Sequence, residues 1–164
     1  MRILIVEEAL QRGNGHWPGY IGGIVAALRA SGDDVDVLMH REAAPELVES
    51  LGGTPWLSRN CWEDAASQGG LGGLRHNLGM EKELKVWLRE QEPYDWVFAL
   101  TMRLQHLLAF GCLSRWRGLP QSTRFLLLFV QGFGRYQGRG QPLAFPRNPS
   151  TLLARFCFRM LAPG

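Results

Sequence analysis

Beyond Asp95 the chain has no acidic residue, and beyond Lys85 it has no lysine. Nine arginines occupy that second part, whereas the first 95 residues set all fifteen carboxylates against nine basic side chains. A guanidinium-rich stretch of this kind calls for phosphate, anionic lipid, an acidic neighbour or the acidic first part of the chain itself as partner. Cysteine is also scarce. Cys61, Cys112 and Cys157 are odd in number, widely spaced and without a C-x-x-C pair, which excludes a disulfide framework and offers no zinc motif. Reduced thiols in a cytoplasmic protein are expected. Long apolar runs are missing. The longest, Phe125 to Val130, is closed by Gln131-Gly132 and falls far short of the roughly 20 residues of a membrane span. The first, Ile3 to Val6, runs at once into Glu7 and Glu8, unlike a secretory signal. There is no internal repeat and no heptad series, and 164 residues suffice for one domain with a real core.

Within these bounds, strands and helices alternate. Arg2 to Val6 reads as a strand, Tyr20 to Ser31 as a helix stopped by Gly32, and Val35 to Met39 as a strand covered on both faces. A short helix over Ala43 to Leu51 precedes a third strand, Thr54 to Leu57. Ser58 to Gly73 lacks periodicity and reads as a long loop. Leu74 to Gln91 predicts a helix with Leu74, Leu78, Leu84, Trp87 and Leu88 on its apolar side, stopped near Pro93. A strand over Tyr94 to Leu100, a helix over Leu104 to Trp116, a buried strand over Phe125 to Val130 and a last helix over Ser150 to Leu161, N-capped by Ser150, complete the series. The alternation predicts an α/β fold, a Rossmann-like doubly wound parallel sheet. Gln131 to Ser150, rich in glycine, proline and arginine, falls just past the carboxyl end of a strand, where such sheets bind ligands.

The first strand opens onto Gly13-Asn-Gly-His-Trp-Pro-Gly19, and a helix N-terminus following a glycine loop presents unpaired N–H donors. The pattern Gly13-x-Gly15-x-x-x-Gly19 is not a dinucleotide fingerprint, because six residues separate the strand from its first glycine. His16 in this loop is a candidate base or hydrogen-bonding group. His40, ending a strand, and His106, on a helix, are expected to be structural. A phospho-receiver is excluded, since Thr54-Pro-Trp-Leu57 supplies no phosphorylatable Asp and no lysine follows Lys85.

Arg2-Ile-Leu-Ile-Val6, Gly15-His-Trp-Pro-Gly-Tyr20 and Ala26-Ala-Leu-Arg-Ala-Ser-Gly32 leading into Val35-Asp-Val-Leu38, together with Glu92-Pro-Tyr-Asp-Trp-Val97, resemble in order the N-terminal half of retaining GT-B glycosyltransferases of the family 4 type. The resemblance implies that residues 1–164 form the acceptor-side domain, a fragment of a two-domain enzyme. The donor-binding domain, with its Glu-x7-Glu pattern, would lie in another domain or subunit. It further implies a nucleotide-sugar as substrate, no resident cofactor and no metal. The glycines Gly13, Gly15 and Gly19 with Arg135 would approach the donor diphosphate, while His16 and Gln131 would hydrogen-bond the transferred sugar or a sugar or lipid-linked acceptor. Gln131-Gly132 stands where that family often has His-Gly. Hexosyl transfer then requires the second domain.

A second reading is a non-catalytic Rossmann-like nucleotide-binding module or partner subunit. Nucleic acid is disfavoured, since the arginines come without a recognition helix. Two segments resemble interfacial helices: Arg103, Arg115 and Arg117 flank a helix bearing Trp116, and Arg155 and Arg159 flank Phe156 and Phe158. Resting on anionic lipid they would place a cytoplasmic protein peripherally on the inner face of a membrane; the alternative is that their apolar residues belong to the core.

Overall fold

The computed structural model describes residues 1–13, 15–60, 62, 70–129, 135–136, 143–144 and 149–161. Strands β1 (Arg2–Glu7), β2 (Asp34–His40), β3 (Thr54–Leu57), β4 (Trp96–Met102) and β5 (Arg124–Phe129) form one sheet in the order β3-β2-β1-β4-β5. All of its pairings are parallel. Helices α1 (Trp17–Ala30), α2 (Pro45–Leu51), α3 (Gly70–Glu90) and α4 (Leu104–Ser114) provide the crossovers. A two-residue antiparallel pair, β6 (Arg135–Tyr136) with β7 (Leu143–Ala144), and helix α5 (Pro149–Leu161) follow. The fold is α/β and Rossmann-like, as the alternation predicted.

The two-residue period of β1 divides the core. Ile3 and Ile5 point to α1 and α2, where they meet Ile21, Val25, Leu47 and Leu51. Leu4 and Val6 point the other way, to Met80, Leu84 and Leu88 of α3 and Phe110 and Leu113 of α4. Between β1 and β4 the winding reverses: α1 and α2 carry the chain from β1 out to β3, and α3 brings it back to β4. The carboxyl ends of β1 and β4 therefore flank the topological switch point, where open α/β sheets leave a crevice.

Four expectations are corrected. The strand at Phe125 is not covered on both faces: Phe125, Leu127 and Phe129 pack inward, but Leu126 and Leu128 are exposed, because β5 is the sheet edge. Leu74 and Leu78 lie outside the core, and α3 instead buries His76, Asn77 and Met80. Ser150 is no N-cap, since the helix already begins at Pro149. The helix after the glycine loop begins at Trp17, with Pro18 in its first turn, so Gly19 is helical rather than part of a loop.

At the other end of α1, Gly32 takes φ +83°, the left-handed conformation that ends a helix without a Cβ penalty. Gly32→Ala is expected to lower stability by about 1 kcal/mol in urea denaturation, because space is open around this Cα and only the backbone conformation resists the methyl group.

Candidate functional site

Glu7 and Glu8 follow the apolar run of β1 and continue its alternation. Glu8 falls in phase with Leu4 and Val6, toward α3 and α4, and is buried there with His76 and His106. Its Oε2 lies 2.8 Å from His76 Nε2 and its Oε1 2.9 Å from His106 Nε2. The two imidazoles meet edge to face at 5.3 Å. Asn77 completes the buried polar layer, donating to Gly73 O at 2.8 Å and accepting the Ala109 N–H at 2.9 Å, which ties α3 to α4.

Burial by itself would raise the Glu8 pKa. Electrostatic attraction to the facing His106 and His76, together with their hydrogen bonds, overcomes that and holds its carboxyl well below the usual carboxylate range. Glu7 goes the other way. Burial pushes its carboxyl up to about 7, although Thr101 Oγ1 and the Ala9 N–H both bond to its Oε1. Among the described residues its Oε2 is buried without a hydrogen-bond partner.

A glutamate and two histidines are donors of the kind that zinc takes, and their ligand atoms lie within 4.8 Å of one another. The surroundings of His106 favour a different state. The Arg103 N–H donates to His106 Nδ1 at 2.9 Å, so that nitrogen is an acceptor and the ring proton sits on Nε2, facing Glu8. A metal on Nε2 would need that proton removed. As arranged, the triad is a carboxylate held between two imidazoles, His106 Nε2 bonding its Oε1 and His76 Nε2 lying against its Oε2. The cavity beside it, lined by Val6, Glu8, Thr101, His106 and Phe110 among others, measures about 10 Å³, room for at most one water. The triad braces the floor of the crevice and does not open into it.

The carboxyl edge beside the switch point carries an aromatic cluster. Exposed His16 stacks on Trp17 at 4.2 Å, Trp17 meets Tyr20 at 6.2 Å and Trp62 at 6.1 Å, and the Arg103 guanidinium lies 4.4 Å over the Trp62 ring. Asn60 positions Trp62, its Oδ1 accepting the Trp62 backbone N–H at 3.0 Å. Three loops, those after β1, β3 and β4, thus bring one cluster together at the carboxyl edge. Gly15, at φ +92°, allows the turn that carries His16.

Of the residues singled out from sequence, Gly13, Gly15 and His16 lie exposed in the loop after β1, and Gly19 in the first turn of α1. Arg135 is on the short β6, and Gln131 lies outside the described residues. His40 is structural, its Nδ1 accepting the Glu42 N–H at 3.1 Å. Glu7, Glu8 and His76 had not been picked out. A signal existed, because His76, Met80, Leu84 and Leu88 repeat every four residues and so share a helix face. A concavity of about 1350 Å³ opens elsewhere, beside Arg124 at the amino end of β5. Two of its three lining arginines are engaged there: Arg115 donates to the last carbonyls of α5 and Arg124 lies over Trp96. The parallel-sheet rule favours the opposite edge. No protein-family model matches the chain, and no curated protein matches it.

Proposed function

We propose that this chain is the acceptor-side domain of a sugar-transferring enzyme of the GT-B class, binding a pyranose at the β1/β4 crevice. The observation that carries the proposal is the position of the His16-Trp17 loop. It stands at the carboxyl edge beside the switch point, with Trp62 and Arg103 beside it. Trp17 and Trp62 are tilted by 42°, so one flat base cannot lie against both indoles. A puckered pyranose presents C–H groups in both directions and leaves its hydroxyls for His16 and for backbone donors. In this reading the nucleotide-sugar donor is a substrate held mainly by a second domain or subunit. His16 hydrogen-bonds the sugar, and the glycine loop with α1's N-terminus faces the diphosphate. Gln131 and Arg135 remain candidates for the same substrate.

Saturation-transfer NMR with methyl pyranosides and with UDP- and GDP-sugars tests this. Signal is expected at pyranose C–H protons. Trp17→Ala should weaken binding about tenfold, as lost stacking of 1 kcal/mol or more implies, and His16→Ala less so. Signal confined to the nucleobase would favour the second reading, a nucleotide-binding module, for which the Rossmann strand order speaks. No signal from any of these compounds would remove the sugar-transfer reading.

A further inference from the structure

The segment that carries His76 inward carries leucines outward. Leu71, Leu74 and Leu78, spaced i, i+3, i+7 on the first half of α3, are 75, 42 and 52 % exposed. On α5, Leu152 and Phe156, one turn apart, are 60 and 57 % exposed. These two faces lie at the same end of the molecule. His76 meets His106, Asn77 meets Ala109, and Lys85 and Arg89 reach Trp116, so α3 and α4 run the same way. Leu107 packs with Cys157, Gly111 lies against Cys157 and Met160, and Ser114 and Arg115 bond to Met160 O, so α5 runs with them too. The amino-terminal halves of α3 and α5 therefore stand at either side of α4, both toward the carboxyl edge of the sheet.

We propose that this face, Leu71, Leu74 and Leu78 with Leu152 and Phe156, rests on an anionic lipid bilayer beside the crevice. The charge around it selects that occupant. Arg75, Arg155 and Arg159 are exposed among these apolar residues. No carboxylate occurs in residues 65–80 or anywhere beyond Asp95. Apolar side chains beside exposed arginines, with the nearest carboxylate of α3, Glu81, already paired with Lys85, match the acyl-headgroup boundary of a membrane carrying negative lipid, where the leucines and phenylalanine enter and each arginine adds electrostatic attraction. No helix among the described residues is long and apolar enough to cross a membrane, so the contact is peripheral. The helix bearing Trp116 does not belong to this surface: Trp116 packs against the core beneath Lys85 and Arg89. This inference is independent of the sugar-transfer reading.

Co-sedimentation of the full chain with phosphatidylcholine vesicles, with and without an equal part of phosphatidylglycerol, tests it. Sedimentation is expected with the anionic vesicles alone and should fall as salt is raised. The double variant Leu74→Ser/Phe156→Ser changes only exposed positions and should bind about tenfold more weakly or worse. Arg155→Gln should weaken binding about fivefold. The salt series on the unaltered chain tests the same point without any variant. Equal sedimentation with both vesicle types, or undiminished binding by the serine variant, would overturn the proposal. So would a dimer, seen by light scattering, that the serine variant abolishes while vesicles go unbound.

Discussion

Glu8→Ala is expected to cost about 2–6 kcal/mol of folding free energy, because it leaves the two buried imidazoles that face it without an acceptor, at about 1–3 kcal/mol for each group left unsatisfied. Glu8 is only 3 % exposed, and its two oxygens face His76 and His106. Without it, two buried imidazoles lose their acceptor, and the tie from β1 to both α3 and α4 goes with them. Domains of this size are stable by about 5–15 kcal/mol, so the variant should lose a substantial part of its margin. Urea denaturation at pH 7 measures this. Glu8→Gln, which keeps one acceptor oxygen, should fall between the two. A loss under 1 kcal/mol for Glu8→Ala would mean that the imidazoles are satisfied by something other than this carboxylate. The pH dependence has a definite sign. A carboxyl held below its ordinary value contributes stability that is present above about pH 4.5 and is lost as pH falls through the folded-state value. Acid should therefore loosen α3 and α4 from the sheet.

The neighbouring glutamate should respond to pH in the opposite direction. Glu7, pushed from 4.5 to about 7 by burial, holds its proton in the folded state over a range in which the unfolded chain has released it. Unfolding then releases a proton, and stability falls as pH rises from about 4.5 to about 7, by about 3 kcal/mol in all. Glu7→Gln keeps the shape and removes the titration. It should match the parent near pH 4.5 and exceed it by about 2–3 kcal/mol at pH 8, less any cost of the amide group at the unpartnered Oε2 position. Urea titrations at several pH values compare the two. Parallel curves for parent and variant would show that Glu7 is ionised at no cost in the folded state. Because Glu7 stands at the carboxyl end of β1, beside Thr101 of β4, its protonation also sets the charge beneath the crevice.

How far the site was legible from residue order depends on its parts. The loop with Gly15, His16 and Trp17 was readable, because glycines after an apolar strand and before a helix have one main use in an α/β chain. Trp62 and Arg103 were not readable as its neighbours. They come from loops some forty residues apart, and only the crossover of α3 brings β4 next to β1. The polar layer was hidden for another reason. A helix segment with leucines at 74 and 78 reads as burying them, and a hydropathy pattern assigns the apolar side inward. The opposite assignment required knowing that Glu8 waits at the end of β1 for two imidazoles. Once that carboxylate is buried, His76 must face it, and the leucines turn outward.

Residue order by itself determined the α/β alternation, the parallel sheet and the position of the glycine loop, because these follow from local periodicity and from the chirality of strand-helix-strand units. Tertiary structure alone decided which side of α3 is inside, that β5 is an edge, and that His16, Trp17, Trp62 and Arg103 form one cluster. Those outcomes depend on contacts between segments far apart in the chain. There the desolvation of a charged group and the position of a strand in the sheet outweigh any preference that a short stretch of sequence can express.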